Sequence, residues 1–172
     1  MDSNFSNIIK VIELDVERTF FENEIEKSRK AISNILKGIA YFEPKISYCQ
    51  GMNYIAAFLY QMTKNEEKAF DLMYGIFLNT DFSTIFIDDL AKLNRYFYVF
   101  ERCVYLFLPE LYQCFKNNSI QINYFSSSWF ITLFTNSLNY NPDANYPKII
   151  LDIWDDFLIV KFSFFFFFKI FF

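Results

Sequence analysis

Histidine is missing altogether from this 172-residue chain. Its absence removes the Ser-His and Cys-His nucleophile pairs, the HExxH zinc site and the side chain that most often moves protons near neutral pH. Glycine is scarce as well. With only Gly38, Gly51 and Gly75, neither a phosphate-binding P-loop nor a GxGxxG turn can be written anywhere, so the common nucleotide-binding loops are excluded. There is no excess of basic charge: the formal net charge is −4, and aromatics do not alternate with Lys and Arg as a nucleic-acid groove requires, so no nucleic acid is expected as a partner. Cys49, Cys103 and Cys114 are odd in number and show no CxxC spacing. That pattern fits small, buried, reduced thiols better than a disulfide framework or a zinc cluster.

Segments that address a chain to a membrane are lacking too. MDSNFSNIIKVIELD carries acids where a charged leader and its apolar core would stand, so a cytoplasmic protein is expected. FLIVKFSFFFFFKIFF at the other end is apolar but broken by Lys161 and Lys169, and it falls short of the roughly 20 residues of a spanning helix. Five consecutive phenylalanines, Phe164 to Phe168, would point to every side of a helix at once, which no packed helix can use. Residues 161–172 are therefore read as a Phe-rich tail outside the true coding sequence, from translation through a poly-T tract. The alternative is a membrane-surface anchor.

What is present is an apolar fraction of 53%, enough for one globular domain with a sizeable core, and its pattern is helical. Ile25, Ile32, Ile35, Leu36 and Ile39 share one side of a 3.6-residue period, closed by Pro44. Met52, Ile55, Ala56, Leu59 and Met62 repeat the pattern. Asn65 with Glu66 and Glu67 reads as a cap and acidic first turn for a helix through Phe70, Met73 and Phe77. A long helix is expected from about Ser83 to Phe107 through Leu90, Leu93, Phe97, Phe100 and Val104, stopped near Pro109 and followed by a short one over ELYQCFKNN. Ser126 to Ser128 precede a helix through Trp129, Phe130, Leu133 and Phe134, and a last one runs from about Tyr146 through Ile149, Ile150, Ile153, Trp154 and Phe157. The fold class is all-α: a single irregular multi-helix domain. Its Phe and Tyr stripes, Trp129 included, are read as core.

Two polar features stand apart. In SYCQGMNYIAAFLYQM, Gln50 is too long to cap the helix that follows, while Gly51 bares the backbone for close approach to something outside the chain; the step looks built to present an amide. In IELDVERTFF, Asp15 and Arg18 are neighbours on one helical face. Alone, such a pair is a weak surface ion pair worth about 0.5 kcal/mol, and such a glutamine is a solvated loop amide.

Together they carry a resemblance. IxxDxxR (Ile12, Asp15, Arg18) followed one helix later by YxQGM (Tyr48, Gln50, Gly51, Met52) resembles the TBC domain of the Tre-2/Bub2/Cdc16 family, the GTPase-activating proteins of Rab GTPases. SSSWFITLFT and PKIILDIWDDFL are similar to that family's third signature and to its late helix with a Trp-Asp pair. The resemblance implies an arginine and a glutamine donated in trans to a GTP-bound Rab, at positions matching Arg18 and Gln50. Asp15 would orient the arginine, Gly51 would let backbones approach, and Tyr48 and Asn53 would hold the loop. It implies no cofactor or metal of the chain's own, since GTP and Mg²⁺ belong to the partner, no independent enzymatic activity, and membrane association only through the Rab. The resemblance covers residues 8–160. It lacks the family's opening Gly-Ile-Pro and Arg-Val-Trp-like segments and its closing Glu-Gly helices, so a domain incomplete at both ends is expected. The competing readings are a noncatalytic Rab-binding module and an inactive fragment of a Rab-GAP.

Overall fold

The computed structural model describes residues 3–19, 26–46, 48–87, 91–137 and 147–160. Eight α-helices and no strand occur among them: α1 (Ser3–Thr19), α2 (Glu26–Phe42), α3 (Met52–Thr63), α4 (Glu66–Asn79), α5 (Leu93–Phe107), α6 (Pro109–Asn117), α7 (Asn123–Thr132) and α8 (Lys148–Val160). The all-α expectation holds.

Helix α3 is the hub. Met52, Ile55, Ala56, Ala57, Phe58 and Leu59 are all buried, so it is apolar around most of its circumference, as a helix surrounded by neighbours must be. Those neighbours are α1, α2, α4 and α7. Trp154 of α8 lays its ring 4.4 Å from that of Phe58. Helix α2 buries Ala31, Ile32, Ile35, Leu36, Ile39 and Ala40, the face expected from its period. Helix α4 starts as its sequence announces: Asn65 Oδ1 accepts the Lys68 N–H at 2.9 Å, with Glu66 and Glu67 in the first turn.

Helix α5 departs from expectation by starting at Leu93 rather than near Ser83. Asp81–Phe86 forms a separate 3₁₀ helix, begun by Thr80, whose side chain accepts from the Phe82 N–H, and ended by Ile87 in extended backbone at φ −98° and ψ 150°. Phe82, Ile85 and Phe86 are buried there, Phe82 with its ring 5.9 Å from that of Phe157. Inward packing of these three residues replaces the outward course a continuous helix would have followed.

Helix α7 is offset too. Ser126 to Ser128 do not precede it; they lie inside it, and the Ser126 hydroxyl donates back to the Ile122 carbonyl at 2.8 Å, the internal bond that lets serine sit mid-helix. The helix stops at Thr132, because Leu133 and Phe134 take positive φ of 48° and 65°. The Leu133 carbonyl left over by that turn accepts the Trp154 indole N–H at 3.1 Å. Trp129 is half-buried, with its ring 5.1 Å from Phe125 and 5.9 Å from Phe100.

The expected inward faces fail at helix ends. Met62, Phe107 and Ile149 are exposed, each in a terminal turn where packing neighbours run out. Of the three thiols, Cys103 is buried, Cys49 is half-buried and Cys114 is exposed. The expectation of burial fails for Cys114 because α6 buries none of its residues. Ile25, Leu90, Tyr146 and residues 161–172 lie outside the described residues.

Candidate functional site

The last turn of α1 and the turn that opens α3 meet through one buried hydrogen-bonded network. Helical spacing sets Asp15 and Arg18 on the same side of α1, and Arg18 Nη2 donates to Asp15 Oδ1. The pair is lopsided: Asp15 is 3% exposed and Arg18 68%. Arg18 Nε donates to the Leu14 carbonyl at 3.2 Å, fixing the direction of the guanidinium while its remaining N–H groups stay available to an outside acceptor.

The other oxygen of Asp15 accepts the Tyr48 phenol at 2.9 Å. A buried carboxylate is tolerable only when paired and hydrogen-bonded, and here a cation and a phenol supply both. Burial, then the charge and hydrogen bond of Asp15, hold the Tyr48 phenol well above its ordinary range, with Arg18 pulling weakly the other way. Burial, and again the charge of Asp15, push the Cys49 thiol up, which keeps it protonated and poorly nucleophilic.

Gln50 is exposed at the tip of the turn. Gly51, directly after it, adopts φ 114° and ψ −29° as the residue before α3, a backbone that residues with a Cβ rarely adopt. A Cβ at Gly51 would also stand 2.6 Å from Ile131 Cγ2 and 3.3 Å from Thr132 Cγ2. The glycine is buried, and the close approach seen within the chain is to α7. Asn53 Oδ1 accepts the Gly51 N–H at 2.9 Å. The amide nitrogen of Asn53 donates to Thr19 Oγ1 at 2.5 Å, and the Thr19 hydroxyl donates to the Asp15 carbonyl at 2.6 Å.

Asp15, Arg18, Tyr48, Gly51 and Asn53 are thus brought into one network, with Gln50 carried on its rim. Sequence reasoning missed Thr19, Ile131 and Thr132. Thr19 lay in reach, since it follows Arg18 and stands one helical turn after Asp15; nothing local marked the two residues of α7. Among the described residues no cluster of three or more His, Cys, Asp and Glu could hold a metal ion. The arrangement presents a planar cation and an amide that can donate and accept at once. Its chemistry is the placement of charge and of a hydrogen-bonded molecule.

Comparisons with known proteins identify the family. The family described as the Rab-GTPase-TBC domain matches residues 1–172. The chain is 29% identical over 147 residues to the Ecotropic viral integration site 5 ortholog of Drosophila melanogaster, covering 83% of this chain and 18% of that protein. It is 28% identical over 133 residues to the Rab GTPase-activating protein eat-17 of Caenorhabditis elegans (75% of this chain, 15% of that protein). With the GTPase activating protein Gyp51 of Schizosaccharomyces pombe it shares 31% identity over 141 residues (73% and 14%). The chain therefore spans less than a fifth of the length of these relatives. With the family matched along the whole sequence, and an all-helical fold that gathers both motif segments at one place, the chain belongs to the Rab-GTPase-TBC domain family.

Proposed function

We propose that this chain accelerates GTP hydrolysis by a Rab-family small GTPase in its GTP-bound form, supplying Arg18 and Gln50 in trans. Phosphoryl transfer proceeds through a loose transition state with negative charge spread over the transferred oxygens, so catalysis consists largely of placing positive charge and orienting water. A chain without histidine can do both. Arg18 is the charge, always ionised and able to bind bidentately in a way lysine cannot reproduce. Gln50 orients the attacking water, donating to one side and accepting from the other. Nucleotide and Mg²⁺ stay with the Rab, and the chain meets membranes through it; among the described residues no helix is long and apolar enough to cross one.

The observation that carries this reading is the single network joining the two segments: Asp15 holds Arg18 on one side and Tyr48 of the glutamine loop on the other. The test is a panel of GTP-loaded Rabs, each incubated with a catalytic amount of the chain while phosphate release is followed. Acceleration of at least one Rab with multiple turnovers supports the proposal. Saturable binding to GTP-loaded Rab without any acceleration replaces it with a noncatalytic Rab-binding module.

A further inference from the structure

We propose that Thr19 is a positioning residue that fixes the Gln50–Gly51 peptide relative to the arginine-bearing end of α1. The inference rests on the reading of Arg18 and Gln50 as the donated pair. Three hydrogen bonds in series carry it. The Thr19 hydroxyl donates to the Asp15 carbonyl at 2.6 Å, in the last turn of α1. The same oxygen accepts from Asn53 Nδ2 at 2.5 Å. Asn53 Oδ1 then accepts the Gly51 N–H at 2.9 Å.

That N–H belongs to the peptide plane whose carbonyl is contributed by Gln50. Orienting the plane orients the backbone from which the glutamine side chain leaves. Thr19, Asn53 and Gly51 are all buried, so water does not compete for these bonds, and the low local dielectric makes each one stiffer than it would be at the surface. Every donor and acceptor in the series has a defined sense: because Asn53 Nδ2 can only donate, the Thr19 hydroxyl must spend its own proton on Asp15. The hydroxyl is therefore the specific requirement. Valine has nearly the same shape and neither donates nor accepts; serine keeps the hydroxyl and loses only a methyl.

Thr19 touches no reacting atom in this scheme. Its effect is on geometry, where an error of about 1 Å can cost about a hundredfold in rate. Ground-state recognition of the Rab does not depend on it.

The experiment uses the full chain and a GTP-loaded Rab that the wild-type chain activates. Thr19→Val should lower the maximal rate by about ten- to a hundredfold, while the half-saturating Rab concentration stays within about twofold. Thr19→Ser should restore the rate to within about threefold. In the free protein, hydrogen exchange at the Gly51 amide should speed up about tenfold or more in Thr19→Val, with α4 amides unchanged. Should Thr19→Val fail to fold, Thr19→Ala removes the hydroxyl without setting a methyl against Asn53 and carries the same expectation. Equal losses in the valine and serine variants would make the effect one of packing and overturn the proposal, as would a fall in rate with Gly51 exchange unchanged. If no Rab responds to the wild-type chain, the catalytic reading fails by itself, and Gly51 exchange alone decides whether Thr19 positions the turn: acceleration in the valine variant supports it, and unchanged exchange overturns it.

Discussion

The Tyr48 phenol and the Arg18 guanidinium divide one buried carboxylate between them, each hydrogen-bonded to a different oxygen of Asp15. Loop and helix are thereby tied at a single charged atom group. Removing either partner leaves the other holding a carboxylate that is short of a donor.

Tyr48→Phe tests this tie. Loss of the phenol leaves one Asp15 oxygen unpaired, and the variant should be less stable at neutral pH by about 1–3 kcal/mol in denaturant titrations. Alkaline pH should narrow that gap. Since the phenol is held above its ordinary value of 10.0, its contribution is fully present below that pH and falls as pH rises past it, where the unfolded tyrosine ionises and the folded one resists. Wild-type stability should therefore decline more steeply above about pH 10 than that of the variant. Tyr74 and Tyr96 are raised as well, so the difference between the two proteins is the quantity to read. Parallel curves would show that the folded chain does not hold the Tyr48 phenol above its ordinary range.

Arg18→Lys keeps the charge and loses the fork. If bidentate contact to phosphoryl oxygens is what the site supplies, the activation rate should fall by about 10³ to 10⁵, as for other arginine fingers, and alanine should do no worse than lysine by a large factor. Affinity for GTP-loaded Rab should drop far less, because contacts made only in the transition state are invisible in ground-state binding. Equal collapse of rate and affinity would make Arg18 an interface residue, and full activity in Arg18→Ala would leave the binding module as the better account.

Gln50→Ala calls for a different control. The glutamine lies exposed on its turn, so the variant should melt like the wild type while losing most of its activation. If the water is oriented from this side, a Rab whose own switch glutamine has been replaced should still respond to the intact chain. A response that vanishes with the Rab's glutamine would show that the partner does this work.

Gly51→Ala brings two costs together. The alanine must adopt the φ of 114°, and its Cβ must displace Ile131 from a 2.6 Å approach. A loss of about 2–4 kcal/mol is expected from calorimetry or denaturant melts. Pairing the change with Ile131→Ala should give less than the sum of the two single losses, since the clash disappears while the backbone cost remains. Strict additivity would mean that Ile131 does not confine the glycine.

Much of this architecture could be read from residue spacing, and the failures have a common cause. Helices α2, α3 and α4 declare themselves because their apolar residues repeat at the helical period and Asn65 supplies a cap. Asp15, Arg18, Tyr48 and Gln50 are visible through the order of two short motifs. Contacts between segments distant in sequence are not. The Asn53–Thr19 bond joins positions 34 residues apart, and no local pattern marks it. The packing of Gly51 against Ile131 is likewise hidden, because a bare backbone looks the same whatever will fill the space beside it. The 3₁₀ turn at Asp81–Phe86 escaped for a related reason: Phe82, Ile85 and Phe86 fit a helical period, and only the core they enter decides that the helix must break.

The bond from Trp154 to the Leu133 carbonyl bears on how such genes are counted. That carbonyl ends α7 beside Ile131 and Thr132, the two side chains against which Gly51 rests. A reading frame that stopped short of Trp154 would still encode Arg18 and Gln50 in the right order, and a search confined to the two motifs that carry them would score it as intact. Its floor beneath the glutamine turn would have lost the indole that closes it. An inventory of genomes or splice variants for working members should therefore ask for the late tryptophan along with the arginine and the glutamine.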